Sequence, residues 1–153
     1  MPAAPATADL PAAPAPLQGS LPLADWGLLR ARGEDARSFL HSQLTQDVLH
    51  LQPGQARLAG YCSAKGRLLA SFVVWADAGS GDLLLACSAD LLPATLKRLS
   101  MFVLRAKCKL ADASAELPLA GLAGPAAEGA GVAPWGVGSA HGGTLIRLPD
   151  AAG

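Results

Sequence analysis

Apolar side chains recur at helical spacing in two parts of the chain. In residues 34–44 they stand three or four positions apart, which is the spacing of an amphipathic α-helix. The same spacing returns after Asp90 and continues to about Val103, and Ser88 or Asp90 can cap this second helix. The pattern therefore predicts two helices, each with one apolar face available for burial against another element.

Shorter runs around these helices have the residue types of β-strands. Residues 67–76 are apolar on both sides, which predicts a central strand that is covered on each face. Residues 105–112 alternate basic and apolar side chains, which predicts an edge strand with one face in water. With further strands over 26–32, 55–62 and 83–87, the order of elements predicts an α+β fold, an antiparallel sheet with two helices packed on it.

Composition divides the chain into three parts. Residues 1–22 hold six prolines among alanines without periodicity, which predicts a disordered leader. Residues 23–115 hold the predicted α+β domain. Residues 116–153 are rich in glycine and proline, with strands predicted over 117–123 and 144–148. Because the chain stops soon after the second of these, we interpret this part as the start of a next, incomplete unit and the chain as truncated.

Charge and cysteine content limit the class of function. The 153 residues carry 12 Lys and Arg against 12 Asp and Glu, so the chain lacks the positive field of a dedicated nucleic-acid binder. Cys62, Cys87 and Cys108 are an odd number at wide spacing, which favours a reduced, cytoplasmic protein over a disulfide framework. The sequence shows no targeting segment and no breaker-free run of about 20 apolar residues, so we expect no membrane span.

The usual signatures of catalysis and metal binding are missing from the sequence. It contains no phosphate-binding Gly-rich loop with lysine, no His-Glu-x-x-His and no nucleophile elbow, so no catalytic residue is predicted. The three histidines are scattered, whereas a zinc site needs three or four ligands at suitable spacing. We therefore expect no metal site.

The segment after the first helix is the most specific candidate for ligand binding. Gln43, Thr45 and Asp47 interrupt the apolar stripe with an amide, a hydroxyl and a carboxylate. Side chains of these types cap the chain locally, and the same types also bind the polar edge of a heterocycle in a cleft. The sequence leaves both interpretations open.

Five basic side chains form a second candidate, the basic cluster, which consists of Lys97, Arg98, Arg105, Lys107 and Lys109. Such a cluster attracts an anionic ligand or an RNA backbone, but it is also typical of a solvated helix end followed by a protected sheet edge. Phe102 is the single aromatic residue between Lys97 and Lys109, which disfavours direct binding of single-stranded nucleic acid.

Four short motifs, in this order and spacing, resemble one known family. They are Gly33-Glu34-Asp35-Ala36, Phe39-Leu40-x-x-Gln43-x-Thr45-x-Asp47-Val48, Pro53-Gly54-Gln55 and Cys62-x-Ala64-Lys65-Gly66-Arg67. They are similar to the N-terminal region of the YgfZ-type folate-binding family, whose relatives include the aminomethyltransferase (T-protein) of the glycine cleavage system. The resemblance covers residues 20–115 closely and 116–149 loosely.

The resemblance implies that this domain forms part of a cleft for tetrahydrofolate. The ligand-binding residues it implies are Gln43, Thr45, Asp47, Lys65 and Gly66. It also implies a larger protein that is linked to the assembly or repair of iron–sulfur enzymes and, through one of these, to tRNA modification.

Two departures from the family pattern change this expectation. In the T-protein an aspartate pair used in catalysis follows the hairpin, whereas Ala70 and Ser71 stand here, so aminomethyl transfer is disfavoured. The downstream signature Lys-Gly-Cys-Tyr-x-Gly-Gln-Glu is absent from the 153 residues, which indicates truncation. The resulting prediction is a non-catalytic folate-binding accessory protein with folate and iron–sulfur enzymes as partners. The alternative is a module that binds a protein or RNA partner through the basic cluster without folate.

Overall fold

The computed structural model describes residues 18–128 and 131–150. Within these residues the chain forms two α-helices, one 3₁₀ turn at Gly124–Ala126 and nine β-strands. In chain order the helices and strands are β1 (Gly19–Pro22), β2 (Trp26–Arg32), α1 (Ala36–Gln43), β3 (Ala56–Cys62), β4 (Leu68–Ala76), β5 (Leu83–Ser88), α2 (Leu92–Ser100), β6 (Lys109–Asp112), β7 (Ala120–Ala123), β8 (Val137–Ala140) and β9 (Gly143–Ile146).

The centre of the fold is a five-stranded sheet with the strand order β3-β4-β5-β2-β6, in which every neighbouring pair is antiparallel. The prediction of an α+β fold with an antiparallel sheet is confirmed. β4 lies inside the sheet, and its residues Phe72 to Trp75 are all buried, as the two apolar faces of this run predict. β6 lies at an edge, as its alternating pattern predicts.

The main core lies on the first face of the sheet. Side chains of the inner strands, including Leu29, Phe72 and Leu85, share one buried cluster with Leu40 of α1 and Leu99 of α2. All five are at most 1% exposed. The apolar stripes of both helices are thus buried together with this face of the sheet, and burial of that area is the main stabilising term of such a fold.

The second face of the sheet carries a smaller buried cluster, which includes Val73, Trp75 and Leu84. Partly buried Trp135 and Ile146, from the Gly- and Pro-rich part of the chain, pack against it. A backbone hydrogen bond attaches this part of the chain to β3, because the amide of Ala56 donates to the carbonyl of Trp135 at 2.8 Å. β8 is not predicted by the sequence, because its residues Val-Gly-Ser-Ala offer little strand signal.

Several element ends differ from the predicted ones. α1 covers Ala36–Gln43 rather than 34–44. α2 ends at Ser100 rather than near Val103, because the amides of Phe102 and Val103 donate to carbonyls three residues earlier, as in turns. The N-cap of α2 is Leu91, so the capping predicted at Ser88 or Asp90 is wrong, because the Ser88 hydroxyl donates instead to the Asp90 carboxylate at 2.5 Å. β6 begins at Lys109, four residues after the start of the predicted strand, because the chain between α2 and β6 forms successive turns. One of these turns is closed by the amide of Ala106, which donates to the carbonyl of Val103 at 2.8 Å.

The leader predicted over residues 1–22 lies mostly outside the described residues. Its last four residues form β1, which pairs antiparallel with β7. The predicted boundaries of the domain at residues 23 and 115 stay a prediction.

Candidate functional site

The segment after α1 runs alongside the edge strand β3. Leu44 forms an antiparallel bridge with Tyr61, and both side chains are buried. Thr45 then makes two hydrogen bonds to Gly60: its amide donates to the Gly60 carbonyl at 2.9 Å, and its Oγ1 accepts from the Gly60 amide at 2.8 Å. The segment therefore covers the exposed backbone of an edge strand, which would otherwise be open to pairing with another chain.

Two further contacts continue this attachment toward the start of β3. Gln46 donates through Nε2 to the carbonyl of Leu58 at 3.3 Å. Arg57 donates through its guanidinium to the carbonyl of Asp47 at 2.6 Å. Of the three side chains for which local capping is one interpretation, Thr45 binds a main-chain group of β3. Gln46, which the sequence does not single out, does the same.

Asp47 lies between two histidines. Its carboxylate is 3.0 Å from Nδ1 of His50 and 3.3 Å from Nδ1 of His41. The backbone amide of His50 donates to the same carboxylate at 3.1 Å, and this hydrogen bond, followed by the one from the His50 ring, holds the pKa of Asp47 below its ordinary value of 3.8. Asp47 is therefore a negative group at neutral pH, and its partners are histidines.

The remaining predicted site residues lie at two nearby places. Gln43 is the last residue of α1, is half-buried, and donates through Nε2 to the Ser42 hydroxyl at 3.3 Å. Lys65 and Gly66 are exposed in the turn between β3 and β4, where the Gly66 amide donates to the Ser63 carbonyl at 2.8 Å. Gly66 has φ +77°, a conformation that favours glycine, so this residue serves the turn itself.

Four residues of β3 and β4 form a partly exposed patch, the open face, which consists of Leu58, Gly60, Leu68 and Ser71. Gly60 pairs with Ser71 across β3 and β4, so their side-chain positions lie on the same face of the sheet. The pairing shifts by one residue after Tyr61, where Cys62 pairs with Leu68, and this β-bulge brings Leu68 to the face of Gly60 although Ala70 points into the main core. Leu58 and Leu68 are 56% and 60% exposed although both lie in strands. This end of the second sheet face therefore carries apolar surface and a hydroxyl in contact with solvent.

Gly60 forms the floor of the open face. A Cβ on Gly60 would stand 3.1 Å from Thr45 Oγ1 and 3.1 Å from Leu68 Cδ1. Thr45 is exposed, so its hydroxyl lies at the border of the open face while its oxygen accepts from Gly60. Of the predicted ligand-binding residues, Thr45 is therefore the one that these contacts join to the open face.

Ala70 and Ser71, the two positions at which the resemblance implies aspartates in the T-protein, point in different directions. Ala70 is 3% exposed and belongs to the main core, whereas Ser71 is exposed on the open face. A charged group at position 70 would be buried among apolar side chains without water. Of the two positions, 71 is therefore the one whose side chain reaches solvent on this face.

A cavity of about 260 Å³ lies at the start of β3. Its lining residues are Gln46, Gln55, Ala56, Arg57, Leu58 and Trp135. Leu58 thus borders both the cavity and the open face. Leu58, Gly60 and Leu68 are not among the site residues predicted from the sequence. For Leu58 and Gly60 the available signal is their alternate positions in one strand, whereas Leu68 reaches this face through the register shift after Tyr61, which no alternation indicates.

The basic cluster lies on a different part of the molecule. Lys97 and Arg98 stand in the last turn of α2 and Lys109 in β6. All five side chains of the cluster are exposed, and Lys107 forms an ion pair with Glu34 at 2.8 Å. The cluster thus spans the end of the helix, the following loop and the sheet edge.

Among residues 18–128 and 131–150, no group of three or more His, Cys, Asp and Glu side chains has the arrangement of a metal site. Within the same residues, neither helix has the length and apolar content needed to cross a membrane.

Known proteins resemble the chain in both fold and sequence. The aminomethyltransferase T of the glycine cleavage system from Bartonella henselae superposes with a TM-score of 0.66, covering 77% of this chain and 34% of that one at 19% identity. The chain therefore shares its fold with about a third of that structure. No protein-family model matches the chain.

Relatives found by sequence identify the protein family. The tRNA-modifying protein YgfZ of Klebsiella pneumoniae is 33% identical over 131 residues, which is 85% of this chain and 36% of that protein. The tRNA-modifying protein YgfZ of Edwardsiella ictaluri is 33% identical over 130 residues, which is 84% of this chain and 35% of that protein. The chain belongs to the YgfZ-type family and spans about a third of the length of these relatives.

Proposed function

We propose that this chain is the N-terminal folate-binding part of a YgfZ-like accessory protein. In this proposal the protein supports the assembly or repair of iron–sulfur enzymes, and thereby tRNA modification, without catalysis of its own. The observation that carries the proposal is the open face, where two exposed leucines and Ser71 surround a glycine floor and the Thr45 hydroxyl lies at the border. A second support is the 33% identity to tRNA-modifying YgfZ proteins over 85% of the chain.

The open face fits one side of tetrahydrofolate. The pterin and aminobenzoyl groups of this molecule are flat and largely apolar on their faces, which suits Leu58 and Leu68. The pterin edge carries donors and acceptors, which suits the hydroxyls of Thr45 and Ser71. Lys65 stands in the adjoining turn and provides a cation for the carboxylates of the glutamate tail. Bound tetrahydrofolate supplies nitrogens that carry one-carbon units.

The absence of a carboxylate at positions 70 and 71 is the reason to propose binding without aminomethyl transfer. A serine hydroxyl holds no negative charge at neutral pH and is a poor general base for a folate nitrogen. Ala70 lies in the main core and has no polar group to offer. The chain's own residues therefore bind and orient the ligand in this proposal.

The proposed compartment and partners follow from the cysteines and the family. Cys62, Cys87 and Cys108 are free thiols in the structure, which agrees with a reducing cytoplasm. Burial raises the pKa of Cys87 to about 11, and burial also raises the pKa of Cys108. Such thiols stay protonated and are poor metal ligands, so we propose that the iron–sulfur cluster belongs to the client enzyme.

Calorimetric titration of the chain with tetrahydrofolate tests the proposal. We expect binding heat that folinic acid competes away. Leu68→Asp places a charge on the open face and should weaken binding at least tenfold. Leu21→Asp is the matched control, because Leu21 is 66% exposed in β1 of a separate two-stranded sheet.

Two results would contradict the proposal. One is the lack of any heat and of any chemical-shift change in residues of the open face at millimolar tetrahydrofolate. The other is an equal loss of affinity in Leu68→Asp and Leu21→Asp, since this would show that the open face does not contribute. Circular dichroism of both variants checks that each is folded.

A further inference from the structure

The loop after α2 exposes three large apolar side chains. Met101 is 59% exposed, Phe102 is 47% exposed and Leu104 is 87% exposed. We call residues 101–104 the apolar loop. Single exposed apolar residues are common on protein surfaces, but several in one short loop form a patch of the kind that marks an interaction site.

The backbone holds Leu104 in an unfavourable conformation. Its φ is +42°, in the left-handed region, which costs energy for a residue with a side chain. Hydrogen bonds on both sides fix this geometry. The amide of Phe102 donates to the carbonyl of Leu99 at 3.0 Å, and the amide of Ala106 donates to the carbonyl of Val103 at 2.8 Å. Strained positions that the surrounding structure enforces concentrate at binding sites. Leu104 is thus held in a fixed, solvent-facing position.

Basic side chains stand beside the apolar loop. Met101 continues the helical conformation of α2 with φ −65°, so Lys97 and Arg98 are its neighbours one turn earlier. Arg105 follows the loop directly and is exposed. Cations at a helix C-terminus are favoured by the helix dipole, but the dipole does not account for three exposed apolar residues between them.

We propose that the apolar loop and its neighbours Lys97, Arg98 and Arg105 form a docking surface for a protein segment that carries apolar anchors flanked by acidic residues. This inference goes beyond the proposed binding of folate and does not depend on it. Charge complementarity selects the partner. A second copy of this surface would bring cations against cations. A nucleic acid would neutralise the cations but would leave Met101 and Leu104 without apolar partners.

The test is a selection of random 12-residue peptides displayed on phage, with the full chain as target. Peptides that bind should be enriched in Asp and Glu around Leu, Phe or Trp. A fluorescein-labelled peptide from the selection then serves as the probe in an anisotropy titration. Leu104→Ser should weaken its binding at least tenfold, and Arg98→Glu should do the same with a strong dependence on salt.

Matched controls replace the same residue types elsewhere on the surface. Leu148 is 48% exposed and Arg67 is exposed in the turn between β3 and β4, so Leu148→Ser and Arg67→Glu should leave the affinity within twofold. Selected peptides that lack acidic residues, or whose affinity is unchanged in Leu104→Ser, would overturn the proposal. The peptide titration is repeated with tetrahydrofolate present. Because the docking surface does not depend on folate binding, the affinity for the peptide should be the same with and without it.

Two other binding partners are measured in parallel. Unfractionated tRNA that binds with an affinity dependent on Arg98 but not on Leu104 would assign the surface to nucleic acid and overturn the proposal. Sedimentation with vesicles of phosphatidylcholine and phosphatidylserine, lost in Leu104→Ser and unaffected by the selected peptide, would assign it to a lipid surface and overturn the proposal as well.

Discussion

Thr45 and Gly60 are joined by two hydrogen bonds, one from each backbone amide, with Thr45 Oγ1 serving as one of the acceptors. The hydroxyl takes the place that a carbonyl would have in a regular strand pair. The chain after α1 is thereby attached to the edge of β3 directly beside the open face. This contact links the stability of the edge to the shape of the proposed ligand site.

Replacement of Thr45 by valine should separate these two roles. Thr45→Val keeps the shape but removes the acceptor for the Gly60 amide, so we expect the free energy of unfolding to fall by about 1 kcal/mol. Thr45→Ser keeps the hydroxyl and should stay within about 0.5 kcal/mol of the unchanged chain. Urea denaturation measures both, and equal stability of the two variants would contradict the assigned role of Oγ1.

Gly33 approaches another part of the chain more closely than a side chain allows. Its φ is +124°, and a Cβ at this residue would stand 2.1 Å from the carbonyl oxygen of Lys107. We therefore expect Gly33→Ala to lower the free energy of unfolding by about 3 kcal/mol or more. Gly66→Ala is the control, because Gly66 has φ +77° with nothing within 4 Å, so it should cost only about 1 kcal/mol. A similar cost for both in urea denaturation would refute the close approach.

The sheet is predictable from the sequence because its signal is local. The apolar run of β4 and the alternation that leads into β6 each specify how a strand is buried, and the structure places these strands inside and at the edge of the sheet. β8 and its contact with the second face depend on Trp135 and on backbone hydrogen bonds to Gly54 and Ala56, which couple residues about 80 positions apart. No local pattern encodes such a pairing.

The candidate site is predictable only in part for a related reason. Thr45 is identifiable as a polar interruption of a helical stripe, and it does lie beside the open face. Leu58 and Leu68 give the same local signal as buried strand residues, and their exposure depends on which parts of the second face other segments cover. The sequence pattern identifies apolar faces but not the part of a face that stays in water.

The different surroundings of Ala70 and Ser71 give a direct test of the sheet register. Ala70→Asp places a charge among apolar side chains of the main core, so the free energy of unfolding should fall by about 3 kcal/mol or more. Ser71→Asp places the same charge on the open face in water and should change stability by about 0.5 kcal/mol at most. Thermal and urea denaturation compare the two. A reversed order of stability would show that the register of β4 is wrong by one residue.

Cys87 makes the stability of the fold sensitive to alkaline pH. Burial, with a smaller effect of the nearby carboxylates of Asp112 and Asp90, raises the pKa of its thiol from 9.0 to about 11. Between these values the unfolded chain has lost the thiol proton while the folded chain retains it. The free energy of unfolding must therefore fall as the pH rises from 9 toward 11. Below pH 9 the stabilisation that comes from the protonated Cys87 thiol is fully present.

Cys87→Ala removes this thiol and isolates its effect from that of other groups that titrate in the same range. At pH 7 the variant should be less stable by about 1 kcal/mol, because a buried sulfur is lost from the main core. From pH 9 to 11 it should lose less stability than the unchanged chain, so the two curves of unfolding free energy against pH converge. Urea denaturation at half-unit pH steps measures both curves. Parallel curves would mean that the Cys87 thiol has the same pKa in the folded and the unfolded chain. That result would contradict the structure, in which Cys87 lies in β5 and is only 1% exposed.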